Sequence, residues 1–236
     1  NENGQRDQTD LLLTFEYGYE EFPSFSAFTR EDVDDERFNQ EIRLVSTGDG
    51  PLNWITGVFY NDFKRRSISQ EFTPGFDQFA VDNFGGAQLR PDALEYYQTD
   101  DIKLTEKAVY GEVGYQLTDA WQVTLGARYF RFEEDDTTGF DLPLFYTVFD
   151  GRVPPDLIDP VYQSADTNDD DAIFKFNTSY HFSEDVLGYL TVSEGYRSGG
   201  SNGAAVCPPG VDPGNANFVC VVADERLYKP DTTVNY

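Results

Sequence analysis

The chain has 236 residues and a formal net charge of −26 at pH 7, from 43 Asp and Glu against 17 Lys and Arg. This acidity would repel nucleic-acid phosphates and excludes a nucleic-acid-binding protein. An aromatic content of 16% is too high for a disordered acidic tail. Many aromatic residues at a mean hydropathy of −0.54 favour a membrane β-barrel, whose aromatic side chains face lipid while its acidic side chains face the lumen and outer loops.

The sequence predicts neither a transmembrane helix nor a signal peptide. No run of 18 apolar residues is present, so the sequence predicts no transmembrane helix. The polar start, "NENGQRDQTD", is not a signal peptide, and the end, "KPDTTVNY", lies in a strand-like pattern. We therefore expect a fragment of a longer protein.

The first predicted hairpin begins with residues 37–47, which alternate between an apolar and a charged face. The turn "GDGP" at 48–51 leads into a second strand, 52–66, in which both faces carry apolar residues, so that its phase stays open. The alternating side chains of the first strand are Phe38, Ile42 and Leu44 on one face, with Glu41 and Arg43 on the other.

The second predicted hairpin joins residues 107–117 to residues 121–135 through a turn at 118–120. A turn centred near Ala120 places Glu112 opposite Arg128, and both lie on the polar face. We therefore predict a cross-strand ion pair between them in the lumen. The period of two predicts Val109, Val113, Val123 and Leu125 on the lipid side and Glu112, Gln116 and Arg128 on the lumen side.

The third predicted hairpin joins residues 171–182 to residues 186–198 through the turn at 183–185. Its first strand places Phe174 and Phe176 on the lipid side, with Lys175 and His181 on the lumen side. His181 is predicted to be a hydrogen-bonding residue of the lumen, not a metal ligand.

The connections alternate between short turns and segments of about 30 residues, of which 136–169 and 199–229 are examples. Short turns on one side and long loops on the other are typical of outer-membrane barrels, and loops this long are uncommon in compact soluble domains. A tilted strand of about 10 residues crosses an apolar band of about 25 Å. The predicted fold is an all-β, antiparallel transmembrane β-barrel segment with short periplasmic turns and long extracellular loops. A lipocalin-like barrel or a sandwich explains the alternation but not this asymmetry.

Three further patterns have a functional and a structural interpretation. The pentapeptide around Ser201, "GGSNG", has the G-x-S-x-G spacing of a hydrolase nucleophile, but it precedes no helix pattern and His181 lies upstream, so we predict entry into a loop and no enzyme. The acidic run 166–171 departs from a calcium loop, since Asp171 stands where Gly is required, which leaves weak binding of divalent ions open and predicts no metal site. The basic run 64–66 is predicted to be a solvated or lipid-headgroup-facing strand end.

The two cysteines, Cys207 and Cys220, lie in one Pro/Gly-rich segment. Two cysteines in a single loop predict a local disulfide formed in an oxidising compartment. Metal binding would need further ligands nearby, and the chain has a single histidine, in another segment.

Several motifs resemble those of TonB-dependent outer-membrane receptors, in the order found in that family. "FNQEIRLVS" followed by "LNWITGVFY" resembles one hairpin of these receptors, and "AVYGEVGYQLTDAWQVTLGARY" resembles the next. "YLTVSEGYRSGGSN" and "LYKPDTTVNY" resemble a strand-to-loop segment and a strand entry of the family. The resemblance covers about Asn39 to Tyr236.

The resemblance implies part of a plugged barrel of about 22 strands in the outer membrane of a Gram-negative bacterium. Residues 1–236 would supply about six strands and parts of two others, and the plug domain, through which a TonB-type coupling protein acts, would lie outside them. The implied function is active uptake of a metal-siderophore, cobalamin, haem or a glycan, with lipid and lipopolysaccharide around the barrel and no cofactor. A passive porin-like channel and a surface-exposed binding or adhesion barrel are the alternatives.

Ligand capture in such a receptor belongs to the outer loops. We predict that exposed loop aromatics contact the ligand, although packing within the loops explains each of them equally well. The candidates are Tyr96, Tyr97, Phe145, Tyr146 and Tyr162.

Overall fold

The computed structural model describes residues 2–7, 27–202, 205–207, 210 and 220–236. Its strands, in chain order, are β1 (Glu2–Asp7), β2 (Phe28–Val45), β3 (Leu52–Phe72), β4 (Leu94–Thr118), β5 (Trp121–Asp141), β6 (Val161–Ser183), β7 (Val186–Arg197), β8 (Gly200–Ser201), β9 (Ala205–Val206), β10 (Cys220–Val221), β11 (Leu227–Tyr228) and β12 (Asp231–Asn235). Two short helices, α1 (Phe76–Phe84) and α2 (Pro143–Val148), and a 3₁₀ helix (Ala223–Glu225) complete the described elements.

Eight strands form one antiparallel sheet in the order β1-β2-β3-β4-β5-β6-β7-β12. From β1 to β7 each strand pairs with its neighbour in sequence, as in an up-and-down barrel wall, and β12 pairs with β7. The sheet is open within the described residues. The predicted all-β antiparallel fold is confirmed. Among the described residues, no helix is long and apolar enough to cross a membrane.

The strands are longer than the sequence predicts. β4 begins at Leu94, not near 107, and β6 begins at Val161, not near 171, so the predicted loops of about 30 residues shorten to 73–93 and 142–160. The added portions are rich in Asp, Glu and Thr on both faces, and a polar strand without apolar alternation gives no period-two signal. Backbone pairing with the neighbouring strands holds these portions in the sheet.

The turn between β4 and β5 is stabilised by its own threonine. The hydroxyl oxygen of Thr118 accepts hydrogen bonds from the backbone N–H groups of Ala120 (3.3 Å) and Trp121 (3.1 Å). A register shift between Gln116 and Thr118 then moves the pairing of the two strands. Glu112 is therefore opposite Gly126 instead of Arg128.

The two longer described connections pack together into a small helical cap at the loop end of the sheet. α1 begins after Gly75 and ends before Gly85, and both glycines have a positive φ, of 88° and 74°. Buried side chains of the two helices form the core of this cap: Phe76, Ala80, Leu144 and Val148. The two connections thus pack against each other, and α2 contacts β4.

Candidate functional site: the two faces of the sheet and the cap

The sheet has a lipid-side face, defined here as the face that carries Val109, Val113, Leu125 and Phe174. These side chains are exposed in the isolated sheet, with 61% of Leu125 and 58% of Phe174 accessible. The register puts Val113, Leu125 and Phe176 in one row across three strands. The sequence prediction for these apolar residues is confirmed in phase.

The lipid-side face changes from apolar to charged along β5. In β5 it carries Trp121, Val123, Leu125, Ala127 and Tyr129, and then Arg131, Glu133 and Asp135. The eight steps from Trp121 to Tyr129 rise about 20 Å at a tilt of about 40°, close to the apolar band of about 25 Å found in such barrels. We call this portion the apolar belt. Trp121 and Tyr129 stand at its two boundaries, where aromatic girdles lie in membrane barrels.

The opposite, lumen-side face is polar at the level of the belt. Lys175 Nζ lies 2.9 Å from Glu112 Oε2, an ion pair that spans from β6 to β4 across the intervening strand. Gly126 occupies the crossing point on β5, opposite both Glu112 and Lys175. Glycine leaves the space over the strand that this long pair needs.

The predicted ion pair between Glu112 and Arg128 is wrong in its partners. Arg128 Nη2 lies 2.7 Å from Glu106 Oε1, and Glu112 pairs with Lys175 instead. The observed pairing differs from the predicted one by two residues, which keeps Arg128 on the lumen-side face but places it opposite Tyr110. The predicted face was right and the predicted register was not.

A second side chain crosses a glycine on the lumen-side face. The Tyr110 hydroxyl donates a hydrogen bond to the Glu41 carboxylate, so the ring spans from β4 to β2 over Gly57 of β3. A Cβ atom at Gly57 would lie 2.6 Å from the Tyr110 hydroxyl oxygen and 2.9 Å from the backbone oxygen of Ile42. Only glycine fits under this ring.

Above these bridges lies an apolar cluster on the lumen-side face. Phe130 and Phe132 are buried, and the Tyr196 ring packs against both, with centroids 4.2 Å and 5.9 Å away.

The pairing of β6 with β7 ends beside this cluster, at Ser193. The backbone N–H of Phe174 in β6 then donates to the Glu194 carboxylate of β7, 2.9 Å away. A cleft of about 480 Å³ opens over the cluster, bordered by the Arg128–Glu106 pair. The sequence prediction did not single out this cluster.

Further towards the loop end the lumen-side face is a network of carboxylates and hydroxyls. Asp100 accepts hydrogen bonds from Thr138 (2.8 Å) and Ser67 (3.2 Å). Asp136 accepts a hydrogen bond from Ser201, 3.2 Å away. Burial raises the pKa of Asp136, and the Ser201 hydrogen bond opposes that rise. This acidic surface repels free anions and favours ligands that are neutral, cationic or metal-complexed.

The cap is tied together by one buried arginine. The Arg90 guanidinium forms a bidentate pair with Asp92, at 2.7 Å and 3.0 Å, and only 1% of the residue is exposed. It also donates to the Thr147 hydroxyl and to three backbone carbonyl oxygens of the second connection, those of Pro155, Asp156 and Leu157. The guanidinium therefore links both connections through hydrogen bonds that a single lysine could not all make.

The five predicted ligand-contacting aromatics do not form one site. Phe145 and Tyr146 are exposed neighbours on α2, where the Arg152 guanidinium lies 4.4 Å from the Tyr146 ring centroid. Tyr97 and Tyr162 lie on the lipid-side face, because β4 and β6 extend beyond the belt. Tyr96 is in β4, and its hydroxyl donates to Gln98. Only Phe145 and Tyr146 therefore lie in the cap.

The remaining candidate residues have structural positions. Ser201 lies in β8 and pairs with Leu227 in a two-residue ladder. Among the described residues, no group of three or more His, Cys, Asp or Glu side chains is arranged to hold a metal ion. The N–H of Cys207 donates to the Val221 carbonyl oxygen, 2.9 Å away, but the Cys220 side chain lies outside the described residues, so the disulfide stays a prediction.

Comparison with known proteins decides the family. The sequence matches the family described as "TonB dependent receptor-like, beta-barrel" over residues 3–236. The chain belongs to this family. No curated protein matches the sequence at a significant level.

One solved structure has a similar fold. The sheet superposes on the ferric yersiniabactin uptake receptor FyuA from Yersinia pestis with a TM-score of 0.62 and 17% sequence identity. The match covers 90% of this chain and 27% of FyuA. The family is one of transport receptors and not of enzymes. In a barrel of this family, the lumen-side face would line the interior and the apolar belt would meet lipid.

Proposed function

We propose that the chain is part of the wall of an outer-membrane active-transport receptor of a Gram-negative bacterium. The observation that carries the proposal is the division of the sheet into an apolar belt on one face and a polar, ion-paired surface on the other, in a chain of this family. The full receptor takes up a scarce nutrient and is energised by a TonB-type coupling protein. Residues 1–236 belong to one barrel domain, and the plug domain lies outside them.

The nutrient class to test first is a metal-siderophore. FyuA, the similar structure, takes up ferric yersiniabactin, and cobalamin, haem and glycans are the further classes. The acidic network around Asp100 and Asp136 supports a metal-complexed or neutral ligand over a free anion. The exposed rings of Phe145 and Tyr146 on the cap supply an apolar contact surface at the loop end.

The test is uptake by cells that express the complete receptor and lack other siderophore receptors. Radiolabelled iron is supplied as a panel of ferric phenolate, catecholate and hydroxamate siderophores, with and without the TonB-type protein. Uptake of one of them that requires the coupling protein supports the proposal. Uptake that persists without the coupling protein indicates a passive porin-like channel and overturns active transport.

The role of the cap is tested with a double variant in the cap and a single variant on the lipid-side face. Phe145→Ala with Tyr146→Ala should weaken binding of the transported complex, measured on the purified receptor by quenching of its intrinsic fluorescence. Tyr162→Ala is the control, because this exposed ring lies on the lipid-side face. Equal loss of binding in both variants would show that the cap does not supply the ligand contact.

A further inference from the structure

One long edge of β6 is not covered by any strand of the described residues. β7 pairs with β6 only from Lys175 to Ser183, whereas β5 pairs with β6 as far as Val161. Beyond Ser193, β7 pairs with β12 on its other side. Because β6 and β7 are consecutive in the chain, the gap between them does not depend on strands outside residues 1–236.

Side chains bind the backbone of β6 at the two ends of this gap. At the lower end, the N–H of Phe174 donates to the Glu194 carboxylate, 2.9 Å away. At the upper end, the carbonyl oxygen of Ser164 accepts a hydrogen bond from the Arg226 guanidinium, 2.5 Å away. The N–H and C=O of one strand residue point to the same side, and the side alternates along an antiparallel strand. The even-numbered residues of β6 therefore present their backbone groups to the gap.

Three such residues lie between these ends: Asp166, Asn168 and Asp170. Their side chains are exposed, and their backbone groups at the gap have no hydrogen-bond partner among the described residues. Asp170 is directly opposite Arg131, so the open edge begins where the apolar belt ends. An unpaired edge of this kind is a template for a further strand, and antiparallel pairing with three residues gives about six backbone hydrogen bonds.

The charge of the edge decides which kind of strand it accepts. Asp166 and the three aspartates at 169–171 lie within six residues, and Asp166 is directly opposite Asp135 of β5. A second copy of this edge would place aspartates opposite aspartates, which is destabilising, whereas a strand with alternating basic residues would place opposite charges there. The Arg226 guanidinium at Ser164 is a cation of this chain that already binds the edge.

We propose that the open edge of β6, residues 166–170, binds an extended cationic peptide segment as an additional β-strand. The segment forms backbone hydrogen bonds with the edge and directs its basic side chains at Asp166 and Asp170. The contact lies on the wall and not in the cap, so it goes beyond nutrient uptake. Its position at the cell surface rests on the proposed location of the chain in an outer membrane, whereas the open edge itself does not.

The probe is a fluorescein-labelled heptapeptide of alternating lysine and valine. Its binding to the full receptor in phosphatidylcholine nanodiscs is measured by fluorescence anisotropy. One matched peptide has glutamate in place of lysine, and a second keeps the lysines but carries a methyl group on every backbone nitrogen. The lysine peptide should bind saturably and the glutamate peptide should not. The methylated peptide should bind at least about tenfold more weakly, because it keeps the charge but has no backbone donors. Equal affinity of the lysine and methylated peptides, or no saturable binding of the lysine peptide, would overturn the proposal.

Variants of the receptor locate the contact. Asn168→Pro removes one N–H at the edge without changing the charge or the pairing with β5, and should weaken the lysine peptide by about tenfold. Asp166→Asn with Asp170→Asn should weaken it by roughly 2- to 30-fold, the range expected for two pairs of opposite charges. The heat-dependent gel shift of the barrel confirms that each variant is folded.

The control removes the same charge from the same face at strands that are paired on both sides. Asp62→Asn with Asp101→Asn changes acidic residues of β3 and β4 and should leave peptide binding unchanged. Equal weakening by the control would mean that net charge, and not the edge, holds the peptide, and would overturn the proposal. Siderophore uptake is measured separately, so loss of peptide binding with normal uptake would leave the transport function standing.

Discussion

The belt portion and the loop-end portion of the wall are made of the same strands but are stabilised differently. In the belt, the lipid-side face is apolar and the lumen-side face carries ion pairs that cross a strand, such as Glu112–Lys175. At the loop end both faces are polar, and the buried core moves off the sheet into the cap around Phe76 and Leu144. Contact with lipid would therefore stabilise the first portion, whereas packing of the two connections stabilises the second.

The largest expected effect is loss of the cap without loss of the barrel wall. Arg90→Ala removes a buried guanidinium and leaves Asp92, the Thr147 hydroxyl and three carbonyl oxygens without their donor. We expect the free energy of opening of the cap to fall by about 3–5 kcal/mol. Hydrogen–deuterium exchange of peptides from 142–160 measures this change.

Arg66→Ala is the matched control, because the Arg66–Asp101 pair is solvent-exposed on both sides. It should cost at most about 1 kcal/mol. If exchange in 142–160 accelerates equally in both variants, Arg90 does not hold the cap together.

The next effect separates the two portions along one face. Leu125→Arg places a cation near the middle of the belt and should cost about 2–4 kcal/mol. Asn168→Arg introduces the same side chain on the same face beyond the belt, among acidic neighbours, and should cost little. Folding into lipid vesicles followed by urea titration compares them. Equal losses in both variants would mean that the belt does not end where the charges begin.

A smaller effect is expected at the glycine under the Tyr110 ring. Gly57→Ala puts a methyl group within 3 Å of the tyrosine and of the Ile42 backbone oxygen, so the strands must separate. We expect a loss of about 1–3 kcal/mol, the usual cost of overpacking. Gly111→Ala, whose nearest neighbour would be 3.6 Å away, should be tolerated. The thermal unfolding of the two variants is measured by the heat-dependent gel shift of the folded barrel. Equal melting temperatures would argue that the Tyr110 ring does not cross Gly57.

The smallest effect tests the register. Double-mutant cycles should give a coupling between Glu112 and Lys175, and between Glu106 and Arg128, of about 0.2–1 kcal/mol, since these pairs are partly exposed. Glu112 and Arg128 should show no coupling. A coupling between Glu112 and Arg128 larger than either of the others would restore the register expected from the turn alone.

The belt could be predicted from the sequence and the loop end could not. Period-two alternation in 107–117 and 121–129 specifies the face of Glu112 and Leu125, because a slip by one residue would put charge into hydrocarbon. A pairing displaced by two residues keeps every side chain on its face, so alternation could not reveal that Arg128 is opposite Tyr110 and not Glu112.

The loop end has no such signal because its strands are polar on both faces. Residues 161–170 of β6, "VYQSADTNDD", contain no apolar alternation, and their strand conformation comes from pairing with β5. Nothing in the sequence around Arg90 distinguishes it from an exposed surface residue. Its burial depends on hydrogen bonds to carbonyl oxygens more than 60 residues away in the chain. Prediction failed where tertiary contacts, and not the solvent, specify the structure.

In the proposed receptor, β5 passes from a lipid-facing belt to a water-exposed wall between Tyr129 and Arg131. The most direct measurement is a spin-label scan of positions 121–137 in the full receptor in lipid vesicles, with its native cysteines replaced. From 121 to 129, the accessibility of the spin label to oxygen should alternate with a period of two and be high at odd positions. At 131–137 the accessibility to oxygen should fall, and the accessibility to a water-soluble nickel complex should rise. Alternation that continues unchanged to 137, or oxygen maxima at even positions, would contradict the account.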